Sequence, residues 1–257
     1  MPLPVKKKLH AETLKRLLGY CTPAEVNQFQ IAAPHVPHFG PWQEVIMATS
    51  EETVGNAEGL PVRSDQAILT DDYRLKEFTD QPINHLTLAN YLFYHSFTFD
   101  HCTITVKLIN AVKDRTVHNI HAFNIIGRGD TKMTAAEICA QFPRATEFHF
   151  RDFEFDKAWA TDFNHQKVQG LKFLNVQITA AFFEVQQKEF LDFFKAQDDD
   201  FWLFLVCPDK TVRESARKFL EKVHFSSQKS HSNRRVSLSL SVKDTMDYYP
   251  KAGSSVK

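Results

Sequence analysis

The chain has 257 residues, 43% of them hydrophobic and 24% charged, which is the composition of an ordinary globular protein. Lysine plus arginine and aspartate plus glutamate each number 31, so no net charge points to nucleic acid or to an anionic membrane as a partner. There are 23 phenylalanines and only eight glycines, which favours packed strands and helices over disorder.

Cysteine usage and the N-terminal composition indicate a compartment. The four cysteines, Cys21, Cys102, Cys139 and Cys207, are far apart and form no Cys-x-x-Cys pair. No apolar segment follows the first lysines as in a secretory signal, and no apolar run is long enough to span a bilayer. We therefore expect an intracellular protein, cytoplasmic or nuclear, with free thiols and no membrane association.

Residues 1–40 have the pattern of a short helical hairpin. Leucines at helical spacing predict the first helix, and Thr22 begins the second as its cap. Pro23 suits the first helical position, and Glu25 stands where a capping box places its acid. A hairpin of this size is too small to hold a core of its own. Residues 41–81 then form a connector, with a strand predicted near Trp42–Met47 and an exposed loop from residue 50 to residue 64.

Residues 82–243 contain recurring short strands, each apolar at alternate positions and ending in Asn, Asp or Cys. Their starts lie 23 to 34 residues apart, the length of one strand plus one helix, as in leucine-rich repeats. The predicted strands are Leu86–Asn90, Ile120–Asn124, Phe148–Asp152, Leu171–Asn175 and Leu203–Cys207.

Helix signals lie between these strands. A capping box at Thr134 opens one helix, and Gln186–Ala196 and Thr211–Val223 give two more. Phe99–Leu108 alternates and predicts an extra strand. Arg234–Val242 alternates apolar residues with serine, which predicts a half-exposed strand at the edge of the sheet.

The segment from Val168 to Cys207 is the clearest strand–helix–strand unit, which is typical of a parallel sheet. Its phenylalanines are predicted to lie in the core, and the acidic turn Asp198–Asp200 is predicted to lie on the surface. The polar residues 244–257 are expected to form a flexible tail.

No catalytic, metal or cofactor motif stands out. His118 and His121 would point to opposite faces of a strand, so they do not form a metal site. Gly127–Asp130 lacks the further glycine of a phosphate-binding loop and is interpreted as a polar turn. Ser237 follows two arginines, as basophilic kinases require, and is a candidate for phosphorylation.

The segment LKFLNVQIT…QQKEFLDFFKAQDDDFWLFLV resembles the F-box-associated domains of the expanded nematode F-box families. The matching positions are Asn175, Ile178-Thr179, Phe190-Leu191, Phe194 and Phe201–Leu205. This resemblance extends loosely over Pro82–Val242. In the N-terminal hairpin, residues Leu17 to Val26 are similar to the middle of an F-box, of which the hairpin would be a degenerate form.

The resemblance implies an α/β fold: the F-box-like helical hairpin, then a curved, mostly parallel, leucine-rich-repeat-like sheet with helices on one side. It also implies a non-catalytic substrate receptor of a cullin-type ubiquitin ligase, with the ligase adaptor subunit and a target protein as its partners. The residues implied in adaptor binding are Leu14, Leu17, Leu18, Pro23, Val26 and Phe29.

Two alternatives stay open. The chain would be a repeat-like protein-binding domain with no ligase role if the N-terminal helices only cap the solenoid. An enzyme of unrecognised type would require a deep pocket with convergent polar groups.

Overall fold

The computed structural model describes residues 45–48, 52–54, 67–76, 91–114, 116, 120–127, 133–228, 232–241 and 243–251. These residues form a mixed α/β structure built on one mostly parallel sheet. The hairpin predicted for residues 1–40 and the strand predicted at Leu86–Asn90 lie outside the described residues.

The strands of the sheet come from all along the described part of the chain. The strands are β1 (Val45–Ala48), β2 (Glu52–Val54), β3 (Ala67–Lys76), β4 (Tyr91–Asp100), β5 (Ala122–Ile126), β6 (Glu147–Arg151), β7 (Phe173–Gln177), β8 (Trp202–Val206), β9 (Phe225–Ser226), β10 (Arg235–Ser241) and β11 (Asp244–Pro250).

Helices connect most of these strands. They are α1 (Val106–Lys113), α2 (Ala135–Gln141), α3 (Trp159–His165), α4 (Gln187–Ala196) and α5 (Lys210–Lys222), with a 3-10 helix at Ala180–Glu184. One helix falls in each connection from β4 to β8, and α5 with β9 leads on to β10. This is the strand–helix alternation that builds parallel sheets.

Sheet order follows chain order over most of the sheet, and reads β1-β3-β4-β5-β6-β7-β8-β10-β11-β9, with β2 beside β3. Every pair from β1 to β10 is parallel. The chain then reverses, so that β11 pairs antiparallel with β10 and with β9. The mostly parallel sheet predicted from the sequence is confirmed.

Four predicted strands are present, each within two residues of its predicted position: β5, β6, β7 and β8. Three helices are also confirmed. In α2 the Thr134 hydroxyl accepts from the amide of Glu137, and the Glu137 carboxylate accepts from the amide of Thr134, which completes the predicted capping box. The helices predicted at Gln186–Ala196 and Thr211–Val223 are α4 and α5.

Strands β5 to β8 bury every second residue and leave the others partly or fully exposed. The parallel register sets the buried residues of neighbouring strands side by side, so Phe123, Phe148, Leu174 and Leu203 form one row. All four are 0% exposed. The second buried row is Phe99, Ile125, Phe150, Val176 and Leu205.

The helices complete this core with aromatic side chains. The indole of Trp159 in α3 stacks on Phe182 with the ring centroids 4.4 Å apart, and its Nε1 donates to the Phe182 carbonyl at 2.9 Å. Phe193 of α4 packs edge-on against Trp159 and Phe163. Because strand and helix side chains belong to one continuous apolar cluster, the units share a single core.

A left-handed residue follows each of three neighbouring strands: His101 after β4, Gly127 after β5 and Asp152 after β6, with φ between 53° and 102°. The amide of His101 donates to the Ile126 carbonyl, and that of Gly127 to the Arg151 carbonyl. A Cβ at Gly127 would lie 2.9 Å from the His101 ring, so this position requires glycine. The units therefore repeat a turn as well as a strand.

The strand predicted at Phe99–Leu108 is wrong. β4 ends at Asp100, the chain turns at His101, and α1 begins after Thr105, whose hydroxyl accepts from the amide of Leu108 at 3.2 Å. Alternation over these residues has a different cause: Cys102 and Ile104 pack into the core from an irregular connection.

The C-terminal end also differs from expectation. Arg234–Val242 was predicted to be an edge strand, but β10 lies between β8 and β11, and its serines Ser237 and Ser239 are buried. Residues 244–250 of the predicted flexible tail form β11. Of the predicted connector, residues 45–48, 52–54 and 67–76 are strands of the same sheet.

Replacing Phe148 with alanine is expected to lower the free energy of unfolding by about 3 to 5 kcal/mol, because a fully buried ring leaves a cavity in the middle of the sheet. Urea unfolding followed by circular dichroism measures this loss. Val106 in α1 is 60% exposed, and Val106→Ala is the control, with an expected change within about 0.5 kcal/mol. Equal losses in the two variants would contradict the assignment of Phe148 to the core.

Candidate functional site

The side chains that alternate with the buried rows form a second, partly exposed face of the sheet, which we call the open face. On β5 to β8 and at the start of β10 it consists of Ala122, Asn124, Ile126, Glu147, His149, Arg151, Phe173, Asn175, Gln177, Trp202, Phe204, Val206 and Arg235. On this face the large aromatic side chains lie on β7 and β8, the charged ones on β6 and β10, and the amides on β5 and β7.

Three of these aromatic residues, Phe173, Trp202 and Phe204, are in mutual contact and are called the aromatic strip. The ring centroid of Trp202 lies 5.1 Å from that of Phe173 and 5.5 Å from that of Phe204. All three are only partly buried. Protein–protein interfaces are enriched in aromatic side chains, and clustered aromatic residues at the surface often mark such interfaces.

The indole of Trp202 is held from both its edge and its face. Its Nε1 donates to the Ser237 hydroxyl at 2.7 Å, and that hydroxyl donates to the Asp247 carboxylate. The Arg235 guanidinium lies over the ring, with Cζ 4.0 Å from the centroid. Such contacts fix the orientation of the indole before any partner arrives, which reduces the entropy lost on binding.

Beside the aromatic strip lies a row of hydrogen-bonding groups, one on each of four neighbouring strands. Asn124 Nδ2 donates to the Thr98 hydroxyl at 3.2 Å, and Asn175 Nδ2 lies 3.5 Å from His149 Nδ1. Burial lowers the pKa of His149, although the nearby Glu147 acts in the opposite direction. His149 is therefore neutral at pH 7, and this row presents dipoles rather than net charge.

A second polar cluster lies where β3 and β4 end. The guanidinium of Arg74 donates to Asp100 Oδ2 at 2.9 Å, and His101 Nδ1 lies 2.6 Å from Asp100 Oδ1. Burial alone would raise the pKa of Asp100, but the His101 hydrogen bond and the Arg74 charge together lower it below its ordinary value. The buried carboxylate is thus ionised and both its oxygens are bonded, so it fixes the exposed imidazole in place.

A cavity of about 250 Å³ opens between the ends of α1 and α2. Its floor is apolar, with Phe123 and Phe142, and the cations Lys113 and Arg144 line it. Among the described residues that line it there is no carboxylate, imidazole or thiol. These lining residues therefore offer no carboxylate or imidazole for general acid–base catalysis.

The thiols are not placed for chemistry. Cys102, Cys139 and Cys207 are buried. Burial raises the pKa of Cys139, and it raises the pKa of Cys207 to about 11. At neutral pH these groups are thiols rather than the nucleophilic thiolates. Cys21 lies outside the described residues.

The described part of the chain has neither a metal-ligand cluster nor a helix that could span a membrane. No group of three or more histidine, cysteine, aspartate or glutamate side chains there is arranged to hold a metal ion. Over the same residues, no helix has both the length and the apolar character needed to cross a bilayer.

The residues implied in adaptor binding, Leu14 to Phe29, lie outside the described residues. Ser237 is 0% exposed and its hydroxyl is bonded to Trp202 and Asp247. Phosphorylation of Ser237 stays a prediction, and it would require these two hydrogen bonds to break.

The predicted acidic turn Asp198–Asp200 lies at the surface, with Asp199 98% exposed. Arg234 donates to the carbonyls of Gln197 and Asp198 and to the Asp199 carboxylate, and Asn233 donates to Asp200. Arg234 therefore joins this turn to the start of β10.

Sequence reasoning missed the aromatic strip because it placed all phenylalanines of residues 168–207 in the core. Phe173 and Phe204 lie instead on the open face, while their neighbours Leu174 and Leu203 are buried. A usable signal was present: both faces of β7 and β8 carry apolar residues, so one set had to be exposed or covered by something else.

Comparison of the chain with protein-family models, with curated proteins and with solved structures gives no match.

Replacing Asp100 with asparagine is expected to destabilise the protein above about pH 4, the ordinary pKa of an unfolded aspartate. The Asp100 carboxyl has a lower pKa in the folded protein than in the unfolded chain. The stability that it contributes is therefore present above the pKa of the unfolded chain, and it is lost as the pH falls through the pKa of the folded protein. Urea unfolding of both proteins between about pH 2.5 and 7 measures the difference.

Asp192, an exposed aspartate of α4, provides the control. Asp192→Asn is expected to change the free energy of unfolding much less than Asp100→Asn at neutral pH. A difference between wild type and Asp100→Asn that stays constant down to the lowest pH would contradict the role given to the carboxylate.

Proposed function

We propose that this chain is a non-catalytic protein-binding module that acts as the substrate receptor of a cullin-type ubiquitin ligase. The observation that supports binding is the aromatic strip, held in place on the open face by Ser237 and Arg235. The ligase role rests on the F-box-like pattern of residues 1–40 and on the resemblance of residues 82–242 to F-box-associated domains.

A protein suits the open face better than a small molecule does. The aromatic strip and the adjoining polar row extend across neighbouring strands of the sheet. Small-molecule sites enclose most of their ligand in a concavity, whereas protein interfaces are broad and place aromatic groups at their centre.

We further propose that the sheet is curved and leucine-rich-repeat-like, with the helices on one side. Strands β4 to β8 are neighbours in both sequence and sheet, and crossovers between parallel strands are right-handed, which favours helices on the same side. Contacts of α2 with α3 and of α3 with α4 support this. Helices are about 10 Å wide, whereas neighbouring strands are only about 4.8 Å apart. Because the helix layer is wider than the strand layer, the sheet is expected to curve, with its open face on the concave side.

In this proposal the N-terminal hairpin and the sheet bind different partners. The apolar face of the N-terminal hairpin binds the ligase adaptor through Leu14, Leu17, Leu18, Pro23, Val26 and Phe29. The open face binds the target protein, and ubiquitin transfer takes place on other subunits. The protein would then act inside the cell, in the cytoplasm or the nucleus.

Retention of the purified adaptor subunit by the immobilised full chain tests the ligase role. Wild-type chain is expected to retain the adaptor, and Leu17→Glu is expected to lose at least nine-tenths of it, about a tenfold loss or roughly 1.4 kcal/mol, because a charge enters an apolar contact.

Trp202→Ala is the matched variant for this experiment, since it alters the open face and leaves the hairpin sequence intact. It is expected to retain the adaptor as wild type does. Failure of the wild-type chain to retain the adaptor, while an authentic F-box protein retains it, would leave a binding domain with no ligase role.

A further inference from the structure

The register of the sheet sets four open-face residues side by side across β6, β7, β8 and β10. These are Glu147, Phe173, Trp202 and Arg235, which we call the transverse row. A carboxylate stands at one end of this row, two aromatic rings stand in the middle, and a guanidinium stands at the other end.

Arg235 is partly exposed at this end of the row. It stacks on Trp202 with Cζ 4.0 Å from the ring centroid. Its Nε is buried and has no hydrogen-bond partner, and no carboxylate in the described part of the chain pairs with it. A buried donor without a partner is costly, so an acceptor that reaches Nε when the side chain turns would stabilise the site.

The opposite end of the row is complementary in sign. The Glu147 side chain is partly exposed, and it forms no ion pair within the described residues. The backbone positions of Glu147 and Arg235 are three strand spacings, or about 14 Å, apart. An extended peptide covers that distance in about four residues, and alternate side chains point to the same side.

We propose that the transverse row binds an extended peptide segment of the target protein that carries an acidic, an apolar and a basic side chain at alternate positions. The acidic carboxylate pairs with Arg235, the apolar side chain packs on Phe173 and Trp202, and the basic group pairs with Glu147. This inference rests on the proposed protein-binding role of the open face and does not depend on the ligase role.

A carboxylate fits this end better than a phosphate does. Phosphate-binding sites in proteins gather several arginines or lysines around a group of nearly two negative charges. Here one guanidinium lies on an apolar ring, and Asp247 stands on the far side of Ser237, where its charge opposes a doubly charged ligand. A single negative charge with two acceptor oxygens matches the planar edge of Arg235.

Titration of the ¹⁵N-labelled full chain, following the indole N–H signal of Trp202, tests the proposal, with Trp202→Phe identifying that signal. The probe is the capped peptide Gly-Gly-Lys-Ala-Phe-Ala-Asp-Gly-Gly. We expect a saturable shift, and a dissociation constant at least fivefold larger when the aspartate of the peptide is replaced by asparagine. No saturable shift, or equal affinity for the two peptides, would overturn the proposal.

Variants of the protein locate the contacts. Arg235→Lys keeps the charge but loses the planar fork, and it is expected to weaken binding of the aspartate peptide at least fivefold. Arg217→Lys, an equivalent change at an arginine of α5 that pairs with Glu214 and Glu221, is the control and is expected to leave the affinity unchanged. Circular dichroism confirms that each variant is folded. Equal effects of the two changes would contradict a site at Arg235.

Glu147→Gln completes the test. This change is expected to weaken binding of the peptide that carries lysine and to leave binding of the peptide with alanine in its place unchanged. Equal weakening of binding for both peptides would show that Glu147 is not part of the site. A phosphoserine peptide that binds tenfold more tightly than the aspartate peptide would overturn the assignment to a carboxylate. Peptide binding without adaptor retention refutes only the ligase role, and adaptor retention without peptide binding refutes only this inference.

Discussion

The parallel, in-register pairing of β4 to β8 is the constraint on which the other features depend. It sets Phe123, Phe148, Leu174 and Leu203 side by side, so that one face of the sheet is uniformly apolar and can be covered by helices. The same pairing aligns the intervening side chains into rows on the open face. Because successive side chains of a strand point to opposite faces, a shift of one residue would exchange the buried and open sets. Core and candidate binding surface are thus fixed together.

Local signals in the sequence were sufficient for β5 to β8 and for the helices α2, α4 and α5. The capping box at Thr134 and the amphipathic pattern of α4 and α5 depend on neighbours within one or two helical turns, so the sequence alone revealed them. Which face of a strand is buried depends on the rest of the fold. In β7 the apolar residues Phe173 and Leu174 occupy both faces, and only packing against the rest of the fold selects Leu174 for the core.

Long-range contacts explain the remaining differences. Ser237 lies in a strand that alternates like a half-exposed edge, yet it is buried because Trp202, 35 residues earlier, reaches across to it. Arg74 and Asp100 are 26 residues apart and form one ion pair through the pairing of β3 with β4. Such contacts have no local signature, and they include the candidate binding residues. Element order was therefore more predictable than the site.

The antiparallel pairing of β10 with β11 determines where a further strand–helix unit could be added to the sheet. A further strand–helix unit inserted between β4 and β8 would find a parallel neighbour on each side and would extend the core without altering the ends. A unit added after β10 would instead have to displace β11, which already occupies that edge together with the two-residue β9. Duplication within the parallel region would thus lengthen the open face, whereas the C-terminal boundary of the array stays fixed.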